Sequence, residues 1–510
     1  MSLSVLMTTE GTYPYSAGGV STWCDALLRN TPEVRWTLLP LMMNPHIEQK
    51  FEPPENVRRI LGVPLWGIEE PAEFIPDIPF AQLYDRKRRT LEGEIEREFV
   101  PLLRELLRAM HADDSPAFGQ TLVAMEDYFR RYDYNETWKS RPVWDAFRAS
   151  IDSESATIFE VTECLRWLYH FLIVLNVRVP KTSVTHATAA AFCAIPCITA
   201  KVRHGTPMLL TEHGVYLREQ YLFLSRFKRL LFCKNFLLDL ITAVVRASYH
   251  FADVVAPVCH YNTRWEVAHG AAQAKIRVIY NGVDPEVFQA PPKMDGELRV
   301  VTTARIDPLK DIETLLRVAA RLKATHPRVR FIVHGNVADE AYYRRCLALR
   351  RHLGVEETVT LGSATEDIVG AYREADVVLL TSISEAFPYS VIEAMACERA
   401  VVASDVGGVG EALEGCGVLV KPRDDEAFAA HVAKLLDDRP LRLALGKKAR
   451  ERVMDEFRLD HTIGKYLDLY RDLGSRVIPG AARDLLIPAQ RTNEGVLRYA
   501  QDDTGGVALR

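Results

Sequence analysis

Short, continuously apolar segments recur along this chain, and each is followed by a helical pattern. This alternation limits the fold more than any other feature of the sequence. Strands that are apolar throughout, rather than at alternate positions, are typical of parallel sheets with both faces buried. Two successive β-α arrays therefore predict an α/β chain of two doubly wound, Rossmann-like domains that face each other across a cleft. The segments begin at Ser4, Val34, Ser183, Pro207, Asp253 and Ile276 in the first array, and at Leu298, Val329, Thr358, Asp376, Ala400 and Gly417 in the second.

Changes in composition mark the domain boundaries. The stretch from Asn281 is rich in turn-forming residues and is predicted to separate the two domains. Prolines, aromatics and charges interrupt the first array, and apolar residues then recur at three-to-four spacing, which predicts a helical insertion. After Pro479 the sequence is polar and aperiodic. The predicted boundaries are an N-terminal domain at 1–285 with its insertion at about 45–155, a C-terminal domain at 286–460, a helix at 461–478 that crosses back to the N-terminal domain, and a disordered tail at 479–510.

Composition and charge exclude several classes of protein. The chain has 510 residues, of which 48% are hydrophobic, as in an ordinary soluble protein. Its 63 basic and 68 acidic residues give a formal net charge of −5, so nucleic acid is not expected as a partner. The N-terminus has no signal-peptide pattern, and no apolar run approaches the ~20 residues of a membrane span. Nine cysteines without a CxxC pair predict free thiols, so we expect a cytoplasmic protein.

The stretch TSISEAFPYSVIEAMA, from Thr381, contains the parts of a nucleotide-diphosphate site. An apolar strand opens into a loop with Glu385, and Pro388 suits the first position of a helix that continues through Glu393. The free N–H groups at the N-terminus of a helix attract anions. Eight helical residues would separate the two glutamates by on the order of 12 Å. They are therefore too far apart to share a metal or a proton, but they can bind opposite ends of a nucleotide sugar.

Arg305 and Lys310 lie where a strand ends and a helix is predicted to begin, at Asp307. A cation in the first turn of a helix opposes the macrodipole, so this placement is favourable if a negative ligand lies there too. Two cations at a diphosphate would also stabilise the charge on a departing nucleotide. The simpler alternative is a pair of solvated cations balanced by Asp307 and Asp311. The neighbouring glutamate motif favours the functional interpretation.

These motifs carry a family resemblance. The stretches YNGVDPEVF, ARIDPLKDIETL, SISEAFPYSVIEAM and ASDVGGVGEAL resemble the retaining glycosyltransferases of family 4 with the GT-B fold. The stretches EGTYPYSAGGVSTW and TEHGVYLRE, with the long insertion, are similar to the PelF-type cytoplasmic glycosyltransferases of Pel exopolysaccharide synthesis. The resemblance covers roughly residues 1–475. It implies transfer of a sugar, with UDP-glucose the first donor to test, to a hydroxyl of a carbohydrate acceptor. It also implies association with a membrane-embedded synthase complex at the inner membrane.

The resemblance assigns roles position by position. Arg305 and Lys310 are expected to bind the donor diphosphate, Glu385 the sugar hydroxyls and Glu393 the ribose hydroxyls. His213 ends the predicted strand PMLLTEH, where α/β folds place ligands, and is expected to face the transferred sugar. His213, Arg305, Lys310 and Glu385 are therefore the expected catalytic residues.

Backbone contacts complete the expected donor site. Gly18 and Gly19 are expected to let the first-domain loop approach the phosphates, because glycine lacks a Cβ. The remaining contacts are expected from the amides near Phe387, Pro388, Tyr389, Ser390 and Val391.

Each assignment has a simpler structural alternative. Glu385 could be a residue at the start of a helix and Glu393 a solvated residue on it, although a carboxylate in the Ala/Met-rich helix VIEAMA needs a partner. The two glycines could form a tight turn. His213 could be a core histidine, which is the role predicted for His186. The basic and apolar run from Phe223 could touch a membrane surface, but a packed domain helix is favoured.

Two positions depart from the family pattern. Asp311 stands where a glycine is common, and the segment 398–400 replaces a small-residue turn. No metal or other cofactor is expected, because no Asp-x-Asp pair lies in a loop at the cleft and Arg305 with Lys310 can replace a divalent cation. Two other functions remain open: a nucleotide-sugar epimerase of GT-B fold, and a non-catalytic nucleotide-sugar-binding regulatory module. A dinucleotide oxidoreductase is disfavoured, since neither first βα turn carries G-x-G-x-x-G.

Overall fold

Both predicted arrays form parallel sheets. A computed structural model describes residues 3–68, 78–151, 156–225, 231–289, 296–363, 365 and 367–476. The first sheet contains β1 (Ser4–Glu10), β2 (Arg35–Met42), β3 (Val57–Ile60), β4 (Val63–Pro64), β5 (Val184–Ala187), β6 (Met208–Glu212) and β7 (Val254–Pro257). The second contains β8 (Arg299–Thr303), β9 (Arg330–His334), β10 (Val359–Ser363), β11 (Val377–Leu380), β12 (Ala400–Ser404) and β13 (Val418–Val420).

The strand order places a crevice at the same point of each sheet. The first sheet runs β3-β2-β1-β5-β6-β7, with β4 also paired to β2, and the second runs β10-β9-β8-β11-β12-β13. The order changes direction beside β1 in one sheet and beside β8 in the other. Doubly wound sheets bind ligands outside the carboxyl ends of their strands at such switch points. The loops that follow β1, β8 and β11 are therefore the expected walls of a site.

Helices cover both faces of each sheet, because alternate residues of the strands pack into different apolar clusters. The first sheet is accompanied by α1 (Gly19–Arg29), α2 (Phe80–Arg89), α3 (Glu92–Glu94), α4 (Val100–His111), α5 (Ser115–Phe129), α6 (Tyr134–Trp138), α7 (Arg141–Ser150), α8 (Ile158–Phe171), α9 (Ile195–His204), α10 (Tyr216–Leu224), α11 (Leu231–Phe251) and α12 (His260–Ala268). The second is accompanied by α13 (Ile312–Leu322), α14 (Glu340–His352), α15 (Ile368–Glu374), α16 (Tyr389–Ala396), α17 (Val409–Leu413), α18 (Asp425–Asp437), α19 (Arg439–Glu456) and α20 (Leu459–Ser475).

The segment predicted as a helical insertion divides into two parts. Residues 57–64 form β3 and β4, which extend the first sheet beside β2. Residues 80–150 are mainly helical, and a π-helical turn at Ile95–Phe99 joins α3 to α4. Buried aromatic residues such as Phe99 and Phe129 join these helices to the largest apolar cluster of the first domain. The helical pattern therefore marks a layer packed on the sheet.

One predicted strand is formed only in part. The segment from Ile276 makes an isolated parallel bridge with Val255, and the N–H groups of Arg277 and Ile279 donate to the carbonyls of Val255 and Pro257 in β7 at 2.9 and 3.0 Å. Ile276 and Ile279 are both shielded from solvent. Burial alone does not distinguish a strand from an extended connection.

The last described helix packs against the first domain. Tyr470 and Tyr466 of α20 are fully buried. The Tyr470 hydroxyl lies 2.7 Å from Nδ1 of His186, and the Tyr466 hydroxyl lies 3.1 Å from Oγ1 of Thr211. Nε2 of His186 also contacts Oγ1 of Thr211 at 2.8 Å, so both ring nitrogens have partners and this histidine is structural. The predicted tail at 479–510 lies outside the described residues, as does 226–230 in the run from Phe223.

All nine cysteines are free and buried, as the sequence predicts. Within the described ranges, none of the helices combines the length and apolar character needed to cross a membrane.

Candidate active site

A cavity of about 380 Å³ opens between the two domains at the carboxyl ends of the strands. It brings together His213, Arg305, Lys310 and Glu385, the four residues predicted as catalytic. These residues follow β6, β8 and β11, so the topology places three distant segments at one point. The other lining residues are Gly214, Val215, Arg218, Glu219, Gln220, Leu222, Phe223, Asn262, Leu309, Ser384 and Ala386.

An ion pair forms part of the cavity wall. Nζ of Lys310 lies 2.5 Å from Oε1 of Glu385, and the Ser382 hydroxyl donates to the same oxygen at 2.6 Å. The side chains of Lys310 and Glu385 are only 19% and 9% exposed. Partial exclusion of water strengthens their attraction and fixes both groups in place. The pair can therefore present a cation and an acceptor oxygen to one ligand that carries both phosphates and hydroxyls.

Arg305 is the more exposed cation. Its side chain is 62% exposed, and Nη2 lies 3.6 Å from Oδ2 of Asp307. A pair at this distance whose guanidinium is mostly in water contributes little stability, so an anionic ligand can compete for the guanidinium.

The chain turns sharply between Lys310 and the helix that follows. The predicted helix start at Asp307 is confirmed only for a short 3₁₀ turn at Pro308–Lys310, of which Asp307 is the N-cap; the α-helix α13 begins at Ile312. Asp311 lies between them with a left-handed φ of 45°. Glycine adopts this conformation most readily, so Asp311 is a non-glycine residue at a position that favours glycine. The Thr314 hydroxyl donates to Oδ2 of Asp311 at 2.7 Å and helps to hold the turn.

A glycine pair supports the loop that carries Glu385. Gly407 has φ of 58°, and a Cβ built on it would lie 1.7 Å from the carbonyl oxygen of Glu385. The N–H of Gly408 donates to the carbonyl of Ala386 at 2.6 Å. The motif ASDVGGVGEAL therefore holds the backbone of the Glu385 loop. The motif is part of the family resemblance, but its sequence did not predict this support of the Glu385 loop.

We predict that Gly407→Ala lowers the thermal stability of the chain. A Cβ at Gly407 cannot fit against the Glu385 carbonyl, and the left-handed backbone alone costs about 1–2 kcal/mol. Gly415→Ala is the matched control, because Gly415 has φ of 70° and a Cβ added there would have nothing within 4 Å. Thermal melting should show a larger loss for Gly407→Ala. Equal behaviour of the two variants would contradict the proposed support.

Glu393 lies half-buried on α16, outside the cavity lining. The hydroxyl of Tyr372 donates to its Oε2 at 2.9 Å and lies 2.5 Å from Oγ1 of Thr303. Burial raises the pKa of Glu393 to about 7, and the hydrogen bond from Tyr372 opposes that rise. The expected partner of this carboxylate is thus a tyrosine that sequence reasoning missed. A buried tyrosine hydroxyl generally needs such a partner.

The N-termini of two helices meet across the cleft. Gly19 begins α1, and a Cβ built on it would lie 3.5 Å from Cδ2 of Tyr389, which begins α16. Gly18 is the N-cap residue of α1. Both helix ends carry partial positive charge, so an anion between them is favoured.

Some of the backbone groups predicted to contact the donor already have partners within the chain. Pro388 is the N-cap residue of α16 rather than its first helical residue. The N–H of Val391 already donates to the Pro388 carbonyl. The ring of Phe387 is buried between Tyr280 and Phe457, and its carbonyl accepts a hydrogen bond from the Asn281 side chain at 3.0 Å. The side chain of Phe387 is therefore part of the core. The amides of Tyr389 and Ser390 lie at the helix N-terminus.

His213 lines the cavity, and one of its ring nitrogens is buried without a partner among the described residues. Its ring lies 4.5 Å from that of Trp23, and Nε2 has no hydrogen-bond partner among the described residues. Burial lowers the pKa of His213 to about 3, so the ring is neutral at physiological pH. A neutral imidazole can donate or accept a hydrogen bond at a ligand hydroxyl.

Two further cavity residues were missed by sequence reasoning. Nη1 of Arg218, on α10, donates to Oγ of Ser384 at 2.8 Å and so joins the two domains. Asn262, on α12, is buried, and its Nδ2 has no partner in the described part of the chain. Arg218 lies within TEHGVYLRE, which pointed only to the family resemblance. No local pattern distinguished Asn262.

Two parallel-sheet α/β domains with a site between them define the GT-B class of folds. The family described as "Domain of unknown function (DUF3492)" matches residues 3–274, which is more than half of the chain, and the chain belongs to this family. The family described as "Glycosyl transferases group 1" matches residues 283–452, which contain most of the second domain.

The curated proteins similar to this chain include glycosyltransferases. D-inositol 3-phosphate glycosyltransferase of Stackebrandtia nassauensis is 33% identical over 219 residues, which cover 39% of this chain and 49% of that protein. The enzyme of the same name from Rhodococcus erythropolis is 32% identical over 263 residues, which cover 50% and 55%. The chain spans about half the length of these curated relatives.

Solved structures share the fold over almost the whole chain. HepE of Anabaena in complex with UDP-glucose has a TM-score of 0.59 at 14% identity, covering 92% of this chain and 100% of that one. Sucrose-phosphate synthase of Thermosynechococcus elongatus has a TM-score of 0.58 at 20% identity, covering 93% and 99%. At these identities the likeness is one of fold.

Proposed function

We propose that this chain is a retaining glycosyltransferase that moves glucose or a related hexose from a UDP-sugar to a hydroxyl of a carbohydrate acceptor. The observation that carries the proposal is the Lys310–Glu385 pair in the interdomain cavity, beside Arg305 and His213. Such a cavity offers cations for a diphosphate and hydrogen-bonding groups for a sugar. The group 1 glycosyltransferase match and the curated relatives' names support the same reaction class.

The residues divide the donor between them. The diphosphate lies on Arg305, Lys310 and the helix N-terminus at Tyr389, where positive charge stabilises the departing UDP. Glu385 then binds hydroxyls of the sugar, and Glu393 binds the ribose. When the Lys310–Glu385 contact is exchanged for contacts with the donor, the phosphate compensates the charge of Lys310, and the sugar hydroxyls donate hydrogen bonds to Glu385.

The family resemblance supports transfer with retention. The bond between C1 of the sugar and the phosphate oxygen breaks, and its electron pair leaves with UDP. The acceptor oxygen bonds to C1 on the same face, and its proton passes to the leaving phosphate. His213, neutral and with Nε2 unpaired among the described residues, hydrogen-bonds a sugar hydroxyl during this step.

UDP-glucose is the first donor to test, because the fold neighbour HepE was solved with it. The purified chain is incubated with UDP-glucose, with and without glucose oligosaccharides, and released UDP and products are measured. Acceptor-dependent UDP release with an α-linked product supports the proposal. Epimerised UDP-sugar without acceptor would identify the epimerase alternative. Nucleotide binding without turnover on any donor or acceptor would identify the regulatory alternative.

We predict that the transfer needs no divalent metal, because Arg305 and Lys310 can replace a bridging cation at the diphosphate. Treatment with EDTA should leave the rate of transfer within about twofold of the untreated rate. Addition of Mg²⁺ after EDTA should change little. A large loss that Mg²⁺ restores would contradict this part of the proposal.

From the PelF-type resemblance we further propose that the reaction belongs to exopolysaccharide synthesis, in the cytoplasm beside a membrane-embedded synthase complex. Inverted membrane vesicles test this association. The chain should sediment with vesicles that contain the synthase and remain in the supernatant with vesicles that lack it. Equal distribution would contradict the association without affecting the transfer reaction.

A further inference from the structure

Arg218 is a cation of the cavity that the donor site described above does not use. It lies on α10 of the N-terminal domain, opposite Arg305 and Lys310 of the C-terminal domain, and all three line the same cavity. Lys310 is compensated by Glu385 and Arg305 by Asp307. Arg218 has the neutral hydroxyl of Ser384 as its hydrogen-bond partner at 2.8 Å. Its guanidinium also lies 5.9 Å from the centre of the Trp265 ring.

Three cations of the cavity lie close enough to Glu219 to influence its carboxylate. Burial raises the pKa of Glu219, whereas Arg218, Arg305 and Lys310 act to lower it. The three cations therefore all act on the carboxylate of Glu219, although they come from both domains. Among the described residues, no carboxylate lies within ion-pair distance of Arg218, so its guanidinium keeps most of its capacity for an anion.

We propose that Arg218 is a third phosphate-binding residue, supplied by the N-terminal domain and held in the cavity by Ser384. This inference rests on the proposed function, because a phosphate-bearing substrate must enter the cavity. An arginine fork matches the geometry of a phosphate, and two of its N–H groups can bind one phosphate at once. The phosphate comes either from the donor diphosphate or from a phosphorylated acceptor. In both cases its binding draws the domains together, since Arg218 lies on one domain and Arg305 with Lys310 on the other.

The test compares Arg218→Gln, Ser384→Ala and the control Arg264→Gln by calorimetry. Arg264 lies outside the cavity lining, with its guanidinium 3.9 Å from the centre of the Tyr261 ring. One arm titrates UDP, and a second titrates inorganic phosphate into protein saturated with UDP. A third arm titrates uridine, which lacks phosphates and whose affinity should be unchanged in every variant.

If Arg218 binds the donor, Arg218→Gln lowers the affinity for UDP by about 10- to 100-fold, and Ser384→Ala lowers this affinity far less. If Arg218 binds a phosphate on the acceptor, the affinity for UDP is unchanged, but the affinity for inorganic phosphate falls by a similar factor. Either result supports the proposal and names the source of the phosphate. The proposal is overturned if Arg218→Gln matches Arg264→Gln in both arms. Failure of the wild-type chain to bind UDP or any other nucleoside diphosphate would instead refute the proposed function itself.

Discussion

Replacing Glu385 by alanine is expected to lower the rate of sugar transfer by about 10²–10³-fold, the usual cost of removing a group that acts on the transition state. The substitution removes the carboxylate that binds the sugar and leaves Lys310 without its partner at 2.5 Å. Lys310 then has only the phosphate to bind, so ground-state affinity for UDP should fall far less than the rate. Steady-state kinetics with UDP-glucose and calorimetry with UDP measure the two effects separately.

Glu414→Ala is the matched control for this experiment. Glu414 is 79% exposed and lies 3.6 Å from Arg452, away from the cavity. It should retain the rate and the melting temperature of the wild-type chain. An unchanged rate in Glu385→Ala, with the fold intact by circular dichroism, would refute the role assigned to this carboxylate.

The second large effect concerns a buried pair of carboxyl groups, and we expect Glu266→Gln to stabilise the protein at alkaline pH. Glu266 of α12 and Glu212 of β6 are both fully buried. Glu212 accepts hydrogen bonds from the Tyr249 hydroxyl at 2.7 Å and from the N–H of Ala190 at 3.2 Å. Both carboxylate oxygens of Glu266 lack a partner among the described residues. Burial raises the pKa of Glu266 to about 9, and the neighbouring charge of Glu212 contributes to the rise.

The sign of the effect follows from the raised pKa. The folded state holds the Glu266 proton up to about pH 9, whereas an unfolded chain releases it near pH 4.3. The stability that this proton provides is complete below the unfolded pKa and is lost as pH rises toward the folded pKa. The loss is about 1.4 kcal/mol per pH unit for one group. Glutamine keeps the neutral shape and cannot ionise, so the variant avoids this loss.

Denaturant unfolding at pH 5, 7 and 9 measures the effect. Relative to the wild-type chain, Glu266→Gln should gain on the order of 5 kcal/mol between pH 5 and pH 9. Glu286→Gln, at an exposed position, is the control and should follow the wild-type profile. Parallel profiles for wild type and Glu266→Gln would show that Glu266 is not held protonated by the fold.

Much of the fold could be predicted because parallel strands buried on both faces leave a local mark. Eleven continuous apolar segments coincide with strands, and the segment from Ile276 does not. That segment hydrogen-bonds to β7 through Arg277 and Ile279 without forming a continuous strand, and apolar composition does not show where such pairing stops. Composition likewise did not show that the helix starting after Asp307 is a 3₁₀ turn, which the left-handed Asp311 separates from the α-helix.

The sequence by itself determined the two β-α arrays, the free cysteines and the motifs around Arg305 and Glu385, because these depend on local residue types and spacing. Only the tertiary structure decided which groups meet: Arg218 with Ser384 across the cleft, Gly407 against the Glu385 carbonyl, and Glu212 beside Glu266 in the interior. Each of these contacts joins segments far apart in the chain. The packing of strands and helices sets the partners, the burial and the charge of these residues. The residues next to them in the sequence do not indicate that packing.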